Sequence, residues 1–349
     1  MKYPSKVNVI ILVMFLLAQF IGLAVITSYD NYFGKGAEEE IRTGKIVQPE
    51  ISVVRETVPP EIELKEPIDI VRIISSIIVA LIIAIALFFL LSKVRITIIL
   101  KIWFAVVVFI CLSLAFTLFL YPYLSTSIFK VFGKKVALAE VIAIPLALIL
   151  TFYKIVRRNI FVHNFTELFI YPGLAIIFLP LLNVIAAAIL LVIISIYDMI
   201  AVWGRSKFMI KMAKFQMHHL KVFAGFFLPF VSPKDKVKIQ RLKVMEKRRK
   251  EKEKKMKKKG KKLRKRKEKK IKVRVNLAVL GGGDVAFPLI FAGTILFAYG
   301  LAPAIITILS TTLALTLLLT FSEKGKFYPA MPFLSAGCFL GLVLTLLLL

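Results

Sequence analysis

Long apolar runs separated by short polar breaks make up most of this chain. Nine of them reach the length of a membrane helix, at approximately 7–28, 69–92, 98–121, 136–153, 162–181, 183–203, 275–299, 301–321 and 327–348. A helix rising 1.5 Å per residue needs roughly 20 residues to cross about 30 Å of hydrocarbon. The runs are too long for membrane strands and lack their alternation. The pattern therefore predicts an all-α membrane protein, a polytopic bundle of about nine transmembrane helices. The fifth and sixth spans form one apolar stretch broken only around Pro180 and Asn183, which predicts a tight helical hairpin. The first run, Val7 to about Ile26, exceeds the roughly 7–15 apolar residues of a signal peptide and shows no small-x-small cleavage pattern. It reads as a first membrane helix.

Composition agrees. Apolar residues make up 59% of the chain and its mean hydropathy is +0.83, where a soluble domain carries roughly 45–50% apolar residues. The net charge of +29 is concentrated in one segment. Between Gly204 and Arg274 there are 30 Lys and Arg against 5 Asp and Glu, so +25 of the +29 lies there. Three regions follow: 1–203 with six spans, a basic loop at 204–274, and 275–349 with three spans. Basic loops stay on the cytoplasmic side, so six crossings back place the N-terminus inside with Lys2 and Lys6. Three crossings forward place Leu349 outside. The acidic segment from Asn31 to Pro67 is then external. Lys93, Arg95, Lys154, Arg157 and Arg158 fall inside, while Lys130, Lys134 and Lys135 run against the rule.

The Lys-rich run from Lys234 to Arg274 lacks interleaved aromatics or a nucleic-acid-binding module, and reads as a solvated segment attractive to anionic lipid. No nucleic-acid partner is expected. Residues 208–230 alternate apolar and basic positions, a pattern suited to an amphipathic helix on the membrane surface. Cys111 and Cys338 lie inside apolar runs and read as packing residues. His163, His218 and His219 lie near membrane edges or in the basic loop. No metal site or cofactor is implied.

Ionisable residues within spans are costly in hydrocarbon, and their default reading is functional. Two stand out. Asp198 lies deep in the sixth span, in Ile194-Ser195-Ile196-Tyr197-Asp198-Met199, and Asp284 in the seventh, in Gly281-Gly282-Gly283-Asp284-Val285. Glu140 and Glu167 sit near span ends, where water is within reach, and Lys101 can snorkel to the inner face. Asp198 precedes Arg205 by seven residues and Asp284 follows Arg274 by ten, depths of about 10 and 15 Å from the inner end at about 1.5 Å per residue. The helices are consecutive and opposite in direction, so neighbouring helices bring the carboxyls together. Such a pair shares a proton in a low-dielectric site. The charged member can activate water while the protonated one polarises a carbonyl, which is the chemistry of peptide hydrolysis. The three glycines weaken the helix and let another backbone approach. Gly281, Asp284 and Pro288 follow an i, i+3, i+7 spacing and so share one helical face.

Tyr197-Asp198 in one span, Gly281-Gly282-Gly283-Asp284 in the next, and Pro329-Ala330-Met331 opening the last resemble the motifs of the presenilin and signal-peptide-peptidase family. Met331 stands where that family has Leu, a nearly volume-conserving exchange. The order and spacing of the nine spans are similar as well, most like a microbial, archaeal-type presenilin homologue. The resemblance implies an intramembrane aspartyl endopeptidase that needs no cofactor and cleaves transmembrane helices of protein substrates. It implies Asp198 and Asp284 as the catalytic pair, with Tyr197, Gly281, Gly282, Gly283, Pro329, Ala330 and Met331 in support or substrate admission. The cytoplasmic basic loop matches the presenilin orientation rather than the inverted one of signal peptide peptidases, in a multi-pass protein of the cell membrane. The prepilin-type peptidases share Gly-x-Gly-Asp but lack the terminal proline motif.

The alternative from another class is a proton- or cation-coupled transporter, which also uses paired intramembrane carboxylates and broken helices. The halves show no self-similarity of the kind inverted repeats leave. A lipid-binding scaffold using the basic loop leaves the two aspartates unexplained. Gly337 and Gly341, at GxxxG spacing, read as helix-packing residues.

Overall fold

The computed structural model of the chain describes residues 5–33, 71–72, 74–80, 82–83, 86, 97–131, 134–157, 159–203, 224–231, 275–322 and 328–348. Its helices are α1 (Ser5–Phe33), α2 (Thr97–Leu120), α3 (Leu138–Phe152), α4 (Ile160–Phe178), α5 (Val184–Trp203), α6 (Gly282–Tyr299), α7 (Leu301–Phe321) and α8 (Met331–Leu348). A π-helical turn, Tyr153–Arg157, extends α3, and a 3-10 turn, Leu179–Leu181, closes α4. Among the described residues, eight helices are long and apolar enough to cross a membrane. The second predicted span lies only partly within the described residues, as short helical pieces between 71 and 86.

The predicted hairpin between the fifth and sixth spans is present. Pro180 sits in the 3-10 turn, and the Asn183 side chain accepts a hydrogen bond from the Ala186 amide at 2.8 Å, capping the start of α5. Strands occur only outside the apolar helices. β1 (Ser127–Val131) and β2 (Lys134–Ala137) form an antiparallel pair in the connection whose lysines ran against the charge rule. β3 (Gly225–Val231) and β4 (Val275–Gly281) form a second pair.

β3 and β4 correct several expectations. The seventh span is not helical from 275. Residues 275–281 are a strand, and the helix begins at Gly282. Val275 and Val279 favour extended backbone, and three glycines oppose helix extension toward the N-terminus. Gly281 is consequently the cap before α6, outside the helical face that Asp284 and Pro288 share, and the depth of Asp284 counted along a helix from Arg274 does not apply. The amphipathic helix expected over 208–230 is replaced by strand at 225–230, and 208–223 lies outside the described residues. Most of the basic loop lies outside them as well.

The chain divides into two compact units, one of residues 1–226 with 280–349, the other of 227–279. The described part of the second consists of β3 and β4 residues. In the first, α6 occupies the centre. It packs against α1, α4, α5, α7 and α8, and its buried residues, including Val285, Leu289, Ile290, Phe291 and Ile295, face every direction, as expected of a helix apolar all round.

Lipid is as apolar as leucine, so helices gain little by hiding apolar surface from it and associate through close packing. Small residues make that contact possible. A Cβ at Gly337 would stand 2.8 Å from the Thr311 Cα, and one at Gly341 2.6 Å from the Thr307 Cα. The Ser310 hydroxyl donates to the Gly337 carbonyl at 2.8 Å across the same α7–α8 contact. The GxxxG pair is thus a packing device, as its spacing predicts. At Gly173 on α4, a Cβ would lie 2.1 Å from the Cys111 carbonyl oxygen of α2. Around that contact Phe116 and Phe169 pack with ring centroids 4.4 Å apart, beside Leu112, Ala143 and Ala147. Cys111 and Cys338 are both buried and free.

The Gly173 contact meets backbone, which cannot swing aside. Gly173→Val is expected to lower unfolding stability in detergent by at least ~3 kcal/mol, the upper end of ordinary overpacking costs, measured by thermal or denaturant unfolding against the native chain.

Candidate active site

Asp198 projects from the second half of α5, five residues before its end at Trp203, and the residue is 7% exposed. Its Oδ2 accepts a hydrogen bond from the backbone N–H of Met331 at 3.1 Å. Met331 is the first residue of α8. The Ala330 carbonyl already accepts the first intrahelical bond, from Leu334 at 3.1 Å. Asp198 therefore caps α8 from a different helix. The first amides of a helix have no partners within it and carry the positive end of the helix dipole, so a carboxylate is favoured there. Pro329 and Pro332 have no N–H, so this helix start presents the amides of Ala330 and Met331, and Pro332 is tolerated in the first helical turn.

One turn away the same interface is tied a second time. The Ser195 hydroxyl lies 2.8 Å from the Ser335 hydroxyl, and Ser195 also donates to the Leu191 carbonyl at 2.7 Å. These serines were not singled out from the sequence. Ser195 is three residues before Asp198 and Ser335 four after Met331, so helical spacing from each site residue points to them.

Asp284 is the third residue of α6, and its carboxyl turns back against the cap at Gly281. This is the position of a capping-box carboxyl, facing its own helix start. A Cβ on Gly281 would sit 3.0 Å from Asp284 Oδ2, and one on Gly283 would touch the Phe287 ring at 3.3 Å. The Gly282 N–H donates to the Ala224 carbonyl at 3.2 Å, and a Cβ there would stand 3.3 Å from the Ala224 backbone. Each glycine of the triplet thus has a steric use. Pro288 lacks the N–H that the Asp284 carbonyl would accept. The buried Gln19 of α1 donates to the Val285 carbonyl at 2.9 Å and pins this first turn.

The structure brings the two carboxyls together. α5, α6 and α8 pack on one another, and Asp198 and Asp284 lie within electrostatic reach of each other. Pro329 and Met331 are buried beside Asp198, with Ala330 half-buried between them. Tyr197 is half-buried, and none of the hydrogen bonds holding the carboxyls involves it. Among the described residues, no three His, Cys, Asp or Glu side chains gather as metal ligands would.

Two buried carboxyls outside the aspartate pair were missed. Glu167 and Glu140 do not reach water; both are 0% exposed. Glu167 is paired with Lys154 and Glu140 lies at the start of α3, facing the Ala137 amide at 3.4 Å. Their positions near span ends suggested solvent access, but the surrounding helices cover them.

Two carboxyls, Asp198 buried and Asp284 half-buried, thus stand at helix N-termini inside a bundle of apolar helices. Residues 58–349 match the family described as signal-peptide peptidase, presenilin aspartyl protease, and the chain belongs to that family. It is a multi-pass integral membrane protein and an intramembrane aspartyl protease. Two solved structures of a presenilin family intramembrane aspartate protease share its fold. One, in space group C222, aligns over 98% of this chain and 99% of its own with a TM-score of 0.54 and 17% identity. The other, in space group P2, aligns over 97% of both chains with a TM-score of 0.51 and 17% identity. Comparison with curated proteins finds no match.

The Gly281 contact generates a direct expectation. Gly281→Ala forces the Asp284 carboxyl to shift by a few tenths of an ångström while leaving the helix cap extended. Turnover of a membrane-span substrate should fall by about 10-fold or more, since small misplacements of reacting groups are costly, with little change in thermal unfolding.

Proposed function

We propose that Asp198 and Asp284 are the catalytic pair, and that they hydrolyse peptide bonds within transmembrane segments of protein substrates. The observation that carries this reading is the meeting of two carboxyls, each at a helix N-terminus, on packed helices of the bundle. One carboxylate takes a proton from water as it attacks the carbonyl carbon. The protonated partner donates a hydrogen bond to the carbonyl oxygen, then a proton to the leaving amine. The two titrate as a unit, so the starting states belong to the pair rather than to either residue. Gly281, Gly282 and Gly283 keep side chains away from Asp284, and Pro329, Ala330 and Met331 fix the amide that holds Asp198 and border the entry of substrate. Tyr197 supports the pair from the neighbouring position.

The basic segment 204–274 supports a cytoplasmic loop, with the N-terminus inside, the C-terminus outside, and anionic lipid as the loop's partner at the plasma membrane. In this topology the chain has six spans before the loop and three after it.

The test is cleavage of a single-span substrate by the purified protein in detergent. Asp198→Ala and Asp284→Ala should each abolish cleavage while leaving the fold intact. Cleavage surviving either substitution would overturn the assignment. The rate should follow a bell-shaped pH profile, falling at low pH where both carboxyls are protonated and at high pH where both are ionised. Orientation is checked separately by reporter fusions within 240–270, which should report from the cytoplasm.

A further inference from the structure

Lys154 lies in the π-helical turn after α3, an irregularity that often accompanies functional sites. Its ammonium is buried, with three donors and three acceptors. It pairs with Glu167 Oε1, lies 3.2 Å from His163 Nδ1, and donates to the Thr166 hydroxyl at 3.2 Å. Thr166 in turn donates to the His163 carbonyl at 2.8 Å. The other imidazole nitrogen, His163 Nε2, lies 2.8 Å from the Gly225 carbonyl oxygen. A carbonyl only accepts, so Nε2 carries the proton and Nδ1 accepts from Lys154. The charge pair thereby fixes the tautomer that grips Gly225.

The grip leads to the Asp284 helix. His163, Glu167 and Tyr171 recur every four residues and form one stripe on α4. The Tyr171 ring packs edge-on against the fully buried Phe226, centroids 5.5 Å apart. Gly225 and Phe226 are therefore held from α4 by a hydrogen bond and an aromatic contact. The preceding residue, Ala224, accepts the Gly282 amide at 3.2 Å, one residue from Gly281, against which the Asp284 carboxyl lies. Resting on the assignment of Asp284 as catalytic, we infer that Lys154, Glu167 and His163 are positioning residues that set the Asp284 carboxyl through Gly225, Ala224 and Gly282.

A merely structural ion pair would behave differently. Replacing a buried pair with apolar residues of similar volume is often neutral or stabilising, so the fold can survive while the tautomer control is lost. The experiment measures kcat, KM and thermal unfolding for the native protein, Asp284→Ala, His163→Leu, His163→Gln, and Lys154→Met combined with Glu167→Leu, on one single-span substrate. His163→Leu and the double variant should lose about 10-fold or more in kcat with KM within about 2-fold, the pattern of a lost transition-state interaction. Their unfolding should be near native. Gln keeps an N–H donor, so His163→Gln should recover turnover to within about 3-fold of native. Native kcat in His163→Leu, or a rise in KM alone, would overturn the inference. Equal loss in His163→Gln and His163→Leu would do the same, as would a fall in unfolding temperature that tracks kcat. Should His163→Leu fail to fold, the double variant decides alone. Activity surviving Asp284→Ala would instead overturn the catalytic assignment, an outcome these variants cannot mimic.

Discussion

A carboxylate inside a bundle of apolar helices must find its hydrogen-bond donors in the protein, and at Asp198 the donor is a backbone amide. Helical amides are already committed to carbonyls four residues back, except in the first turn of each helix. The geometry of this site follows from that constraint. Asp198 is held at the start of α8 and Asp284 at the start of α6. Two aspartates in one site therefore require two helices that begin there. The chain supplies those beginnings with residues that interrupt helices, glycines before α6 and prolines around the start of α8.

The same interruptions keep the site free of side chains. Gly281 leaves the space occupied by the Asp284 carboxyl, and Gly282 lets the Ala224 backbone come within hydrogen-bond distance. Elsewhere small residues serve packing. Gly337 and Gly341 bring α8 onto α7, and Gly173 brings α4 onto α2. Close helix contact in lipid replaces the solvent-driven burial that holds soluble cores together. The glycines of this chain thus divide by location, those at the α6 start serving the site and those within helices serving the scaffold.

Much of this was legible in the sequence because apolar length and buried charge are strong signals. The helical spans, the hairpin at Pro180, the two aspartates and the three motifs were read directly from residue order. Three features were not. The strand at 275–281 is apolar enough to pass for helix, since periodicity cannot separate a short buried strand from a buried helix segment. Only the glycine triplet marked the boundary, and its effect was assigned to helix weakness rather than to a helix start. Glu140 and Glu167 were placed within reach of water because sequence distance from a polar break measures depth along a helix, not cover by neighbouring helices. Ser195 and Ser335 are ordinary residues whose meaning comes from an interface between elements 140 positions apart in the chain.

The two aspartates differ in how they are held, and the difference assigns the geometry of the pair to different parts of the fold. Asp284 is fixed within its own helix end, so its position depends on the strand-to-helix switch at Gly281 and on what holds Ala224 against Gly282. Asp198 is fixed by another helix, so its position depends on the register of α5 against α8, which the Ser195–Ser335 contact ties one turn away. α8 in turn rests on α7 through Gly337 and Gly341. The proposed hydrolytic role needs the two carboxyls placed closely, and neither aspartate is positioned by its own helix alone. The precision comes from helix contacts that are themselves close because their residues are small, so packing far from the reacting atoms determines where those atoms stand.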